Sequence, residues 1–138
     1  MKKLLVLFVL AAISFSCSKS DDSVNVTEAK LVGKWYYKTT KVAGETFPYD
    51  DHEACGKDYI QFREDGFVVY GDVWDCELFE DVAGVWSISG DKITITEDGV
   101  PQTATVTTLN SSTLVVKYKD DYFEDGSEVT IVVTFTRS

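Results

Sequence analysis

VAGVWSISGDKITIT, residues 82–96, is the stretch on which the fold turns. Trp86 and Ile88 alternate with Ser87 and Ser89, Gly90-Asp91 intervenes, and Ile93 and Ile95 then alternate with Lys92, Thr94 and Thr96. An apolar period of two describes a strand with one buried face, and a glycine in a two-residue link supplies the positive φ of a tight hairpin. The pattern continues in both directions. Strands are expected over 32–42, 57–63, 67–74, 82–89, 92–96, 102–109, 113–120 and 128–136, each rich in Val, Ile, Thr and aromatics. Asp65-Gly66, Gly90-Asp91, Asp98-Gly99, Asn110-Ser111-Ser112 and Asp125-Gly126 supply turn chemistry between them. Two connections, 43–56 and 75–81, read as longer. Consecutive tight hairpins describe an antiparallel meander, and eight strands closing on themselves leave no open edge. The expected fold is therefore all-β, an eight-stranded antiparallel up-and-down barrel over residues 31–138. A Greek-key sandwich is the competitor, but it needs long crossovers where this chain has short turns.

Register refines the reading. If Asp65-Gly66 is a two-residue turn, paired residue numbers sum to 131, which sets Phe62 against Val69, Ile60 against Gly71 and Cys55 against Cys76. The cysteines then fall on a non-hydrogen-bonded pair with Cα atoms about 4.5 Å apart, inside the roughly 4.4–6.8 Å range of a disulfide. The face so defined is taken as the interior and the candidate ligand-binding surface. It comprises Trp35, Tyr37, Ile60, Phe62, Val69, Trp86, Ile88, Ile93, Ile95, Leu114, Val116, Tyr118, Ile131, Val133 and Phe135. Val68, Tyr70 and Trp74 fall on the opposite face. Either a bulge brings them inward or they form an exposed apolar patch.

The N-terminus carries an address. Lys2 and Lys3 precede ten apolar residues, 4–13, and Ser14-Phe15-Ser16 gives a small-x-small cleavage pattern. The apolar run is too short to span a bilayer, which takes about 20 residues. Residues 13–17, ISFSC, resemble a bacterial lipobox, which implies cleavage after Ser16 and a lipid on Cys17. Residues 1–16 are expected as a lipoprotein signal peptide and 17–30, polar and aperiodic, as a flexible tether. The SKSDD run after the cysteine resembles the surface-export signals of Bacteroidetes lipoproteins. The implied location is the cell envelope, at the outer membrane, on its periplasmic or surface-exposed face. Lipidation of Cys17 also resolves an odd count of three cysteines, leaving Cys55 and Cys76 to pair in an oxidising compartment.

The formal charge is −10, and loss of Lys2 and Lys3 leaves 11 Lys and Arg against 23 Asp and Glu, or −12. Such a surface repels nucleic acid and anionic lipid, so contact with a membrane is expected through the lipid on Cys17 alone.

Gly33-Lys34-Trp35 at the start of the first strand matches the Gly-x-Trp of lipocalins, and Arg137 stands where lipocalins place an arginine over that tryptophan. More closely, residues 31–138 resemble the short lipocalin-like domains of Bacteroidetes lipoproteins. The shared features are LVGKW at 31–35, a cysteine before the second strand, Phe62 with Asp65-Gly66, Cys76, and GVWSI at 84–88. Trp35 and Arg137 are accordingly expected to close one end of the barrel. First and last strands are neighbours in a closed sheet, and a guanidinium over an indole is favourable.

Catalytic and metal chemistry find little support. His52 is the only histidine, no Gly-x-Ser-x-Gly accompanies it, and a structural zinc needs four ligands where Cys55 is better used by Cys76. His52 reads as an exposed loop residue. The carboxylates at 72–81 and 120–125 lack the ligand spacing of a calcium loop. No enzyme activity, cofactor or metal is expected. Two functions stay open: a hollow barrel holding a small apolar ligand, or a side-chain-filled barrel serving as an interaction module for another envelope protein.

Overall fold

The computed structural model describes residues 24–138; the signal sequence, Cys17 and the first part of the expected tether lie outside them. A helical turn, α1 (Glu28–Leu31), leads into β1 (Gly33–Val42), β2 (Glu45–Pro48), β3 (Tyr59–Phe62), β4 (Phe67–Trp74), β5 (Glu77–Ser89), β6 (Lys92–Glu97), β7 (Val100–Leu109), β8 (Thr113–Asp120) and β9 (Val129–Thr136). The strands pair in the order β2-β1-β3-β4-β5-β6-β7-β8-β9, and β9 pairs back onto β1. β2 and β3 share one edge of β1, β3 against Gly33–Tyr36 and β2 against Thr39–Val42. The ring itself therefore has eight strands, all antiparallel, and β2 is a short addition beyond it. Closure pairs every barrel edge, and a sandwich is excluded.

One end of the barrel is sealed. Leu31 and Trp35 have no exposed surface, and the indole Nε1 donates 2.7 Å to the Leu31 carbonyl. The Arg137 guanidinium lies 3.8 Å from the Trp35 ring centroid and donates to the carbonyls of Lys30, at 2.8 Å, and Lys34, at 3.5 Å. Gly33 is the residue this arrangement demands. Its φ is +116°, and a Cβ there would stand 2.2 Å from the Arg137 Nη1.

Four sequence expectations are corrected. The first concerns register: Phe62 pairs with Val68 and Ile60 with Tyr70, one residue away from the expected partners. The turn holds three residues, 64–66, with Gly66 at φ +85° and the Arg63 N–H donating to the Phe67 carbonyl. A slip of one residue exchanges the faces of a strand. Val68 and Tyr70 consequently point inward, and Val69 pairs with Gln61 on the outer face. Trp74 shares the face of Tyr70 but extends beyond the rim, 67 % exposed. Second, 75–81 is no long connection. Asp75 and Cys76 form a two-residue turn, both at positive φ, and β5 begins at Glu77. Third, the 43–56 connection contains β2, reached through a turn at Ala43-Gly44. Fourth, the chain is ordered against the barrel well before Leu31. Val24 and Val26 pack on the core and α1 follows, because these apolar side chains have a surface to bury against.

Candidate functional site

Above the sealed end the barrel is hollow. A cavity of about 520 Å³ opens at the opposite end, a size in the range of sites that hold one small molecule. Its deeper wall is apolar: Ile60 and Phe62 from β3, Ile93 and Ile95 from β6, Leu114 and Val116 from β8, Val133 and Phe135 from β9. Nearer the mouth the wall becomes polar, with Tyr37, Tyr70, Glu97, Gln102, Tyr118 and Asp120, and Pro101, Thr103, Ala104 and Lys119 complete it. Alternation along each strand produces this gradient. Ile93, Ile95 and Glu97 share one face of β6, and Leu114, Val116, Tyr118 and Asp120 one face of β8, so each strand climbs from aliphatic to polar.

Most of the expected interior residues border this cavity, and five do not. Trp35 is in the sealed floor, and Ile131 is buried in the core without reaching the cavity wall. Trp86 and Ile88 pack against the core from half-buried positions. Trp86 stands edge-on to Phe62, ring centroids 5.5 Å apart, and donates from Nε1 to the Arg63 carbonyl at 3.0 Å. Val69 faces outward through the register change. Glu97, Pro101, Gln102, Thr103, Ala104, Lys119 and Asp120 are wall residues outside the expected set, and Tyr70, whose face was left open, joins them. The Tyr70 hydroxyl donates 2.5 Å to the Glu97 Oε1, spanning the intervening strand β5. Burial, and then this hydrogen bond, raise the Tyr70 pKa far above its ordinary value. Burial also pushes Tyr37 up to about 12 and raises Tyr118, so the three phenols stay neutral donors.

The 49–58 loop at the mouth is held by polar contacts. His52 is half-buried rather than exposed, a correction to the sequence reading. Its Nδ1 accepts from the Asp58 N–H at 3.1 Å, so the proton sits on Nε2, which donates 2.7 Å to the Tyr37 carbonyl. Asp58 is itself buried, accepting from the Val73 N–H at 2.8 Å and the Tyr49 hydroxyl at 2.6 Å. Burial and that carboxylate raise the Tyr49 pKa. Glu53 accepts from the N–H groups of Asp75 and Cys76, at 2.9 and 2.7 Å, in the turn where both residues have positive φ. The disulfide joins Cys55 to Cys76 with Cα atoms 5.6 Å apart. The pairing is the one expected, but neither cysteine lies on the β3–β4 ladder. They join a loop to a turn. Glu53, Cys55 and Cys76 converge as metal ligands would, yet both sulfurs are spent on each other and the carboxylate on backbone donors.

A closed, one-mouthed antiparallel barrel with a sealed Trp-Arg floor and an open cavity defines a fold class, the eight-stranded up-and-down barrels. Comparison with known proteins narrows it. Residues 31–116 match the lipocalin-like domain family, and the chain belongs to that family. A lipocalin-like protein from Bacteroides uniformis shares 19 % identity at a TM-score of 0.59, over 79 % of this chain and 99 % of the other. An uncharacterized protein from Bacteroides eggerthii shares 17 % identity at a TM-score of 0.52, over 77 % of this chain and 98 % of the other. At these identities the likeness concerns the fold. No curated protein matches the chain significantly.

Proposed function

We propose that this is a non-enzymatic lipoprotein, anchored by a lipid on Cys17 in the cell envelope at the outer membrane, that binds a small apolar ligand in its barrel. The cavity of about 520 Å³ carries the proposal, since side chains that could have filled so small a barrel leave it open. That space disfavours the filled-barrel interaction module. The anchor rests on the ISFSC motif and its context. The fold is compatible with it, because the chain runs into β1 at the sealed end, away from the mouth.

Binding is tested with N-phenyl-1-naphthylamine, whose fluorescence rises in apolar surroundings. Saturable enhancement at one site is expected, together with its loss in Ala104→Trp, which places an indole in the cavity. Equal enhancement in that variant would remove the barrel as the site. The anchor is tested by radiolabelled palmitate, which the native chain should incorporate and Cys17→Ala should not.

A further inference from the structure

The charged side chains that alternation turns into the mouth have one sign, and this bears on what the cavity holds. Glu97 and Asp120 lie on its wall. Beyond the rim, Asp81 pairs with Tyr70 and Asp72 pairs with Phe79, placing two more carboxylates on the same face of the β4–β5 hairpin. Lys119 is the one basic residue bordering the cavity among the described residues. It sits between Tyr118 and Asp120 on a regular ladder, opposite Thr130, so alternation directs its ammonium to the outer face. Arg137 is spent beneath Trp35 at the far end.

We propose that the cavity takes a cationic amphiphile, with an apolar body in the barrel and a protonated amine or quaternary ammonium at the mouth beside Glu97, Asp120 and the rings of Tyr70 and Tyr118. The proposal rests on the ligand-binding reading above and names the ligand class. Three features of the mouth suit such a head group. Tyrosine faces attract cations through the ring quadrupole. Glu97 spends Oε1 on Tyr70, which leaves Oε2 to accept from an ammonium. Its surroundings are half-buried, where opposite charges attract more strongly than in open water. A fatty-acid carboxylate in the same place would face Glu97 and Asp120, and the one basic residue bordering the cavity among the described residues, Lys119, is directed to the outer face. A bare metal ion would leave the apolar depth of the cavity unused.

Displacement of N-phenyl-1-naphthylamine by three ligands with the same ten-carbon tail tests this: decyltrimethylammonium, decan-1-ol and decanoate, at 0.15 M salt so that long-range attraction is screened. Decyltrimethylammonium should compete at least about tenfold better than decanoate, a difference of about 1.4 kcal/mol, with decan-1-ol between them. The Glu97→Gln/Asp120→Asn variant should shrink that preference below about threefold while decan-1-ol competes as before, which also shows that the variant is folded. Glu64→Gln removes a charge at the sealed end and should leave the preference intact. Decanoate competing as well as the cation, or a preference that survives in the double variant, overturns the ligand class. If decan-1-ol and decanoate compete without any cation preference, ligand binding stands and this inference alone falls. If none of the three competes, both fall.

Discussion

The two ends of this barrel solve different problems with different residues. At the sealed end, Trp35 and Leu31 are fully buried, and Arg137 packs against Gly33 at the start of β1 and covers the indole while satisfying two carbonyls. At the mouth, phenols and carboxylates replace aliphatics, and the 49–58 loop is held by Asp58, His52, Glu53 and a disulfide together with the stacking of Tyr49 on Tyr37. The floor carries stability through burial, whereas the mouth keeps an opening in place through polar contacts and a covalent link. An opening cannot be held by filling it.

The sharpest way to break the contrast is at the floor. Trp35→Ala removes a fully buried side chain and one partner of the arginine clamp. It should cost about 3–5 kcal/mol, read as a fall in the urea midpoint of the whole barrel. A loss below about 1 kcal/mol would mean that the floor is not where the stability resides. At the mouth, the Cys55→Ser/Cys76→Ser variant frees a loop of just over twenty residues and should cost about 3 kcal/mol, mainly by loosening the unfolded chain. Hydrogen exchange should then rise over 43–58 and 75–76 and stay low in β8 and β9. Uniform loosening would contradict the division between the two ends.

Alkali gives a gentler perturbation. The Tyr37 pKa is raised from 10.0 to about 12, first by burial and then by its neighbours Tyr118, Asp58 and Glu97. The folded state thus holds a proton that the unfolded chain releases near pH 10. The stability linked to that neutral phenol is fully present below pH 10 and is lost as pH rises toward 12, by at most about 2–3 kcal/mol. Tyr70 and Tyr118 shift in the same direction. The share of tyrosinate absorbance that belongs to Tyr37, Tyr70 and Tyr118 should therefore appear late in the titration and coincide with unfolding. Ordinary titration of every tyrosine near pH 10, with the fold intact, would show that the mouth is wetter than described.

Much of the fold was legible in the sequence, and its errors have physical causes. Alternation marked β4 and β8 to the residue, and the Trp35 and Arg137 positions pointed to adjacent first and last strands. The Asp65-Gly66 pair suits two-residue and three-residue hairpins equally well. Choosing the shorter moved Val69 inward and left Val68 and Tyr70 unplaced. The first part of β5, from Glu77 to Asp81, is exposed on both faces, so it has no alternation to read and resembles a loop in the sequence. His52 and Asp58 were opaque for another reason, since all of His52's hydrogen-bond partners and one of Asp58's two are backbone groups that the sequence does not name. The candidate site was half legible: the aliphatic wall followed from strand parity, but the Tyr70–Glu97 bond depended on register, and the free volume depended on how side chains from eight strands meet.

The account turns on the mouth being open and the floor being solid, and an amide NMR titration with N-phenyl-1-naphthylamine tests this most directly. Saturable shifts are expected at Tyr37, Tyr70, Ile95, Glu97 and Tyr118, with Trp35, Gly33 and Arg137 unmoved. Shifts confined to the outer face, or centred on the Trp35–Arg137 end, or absent at saturating probe, would contradict it.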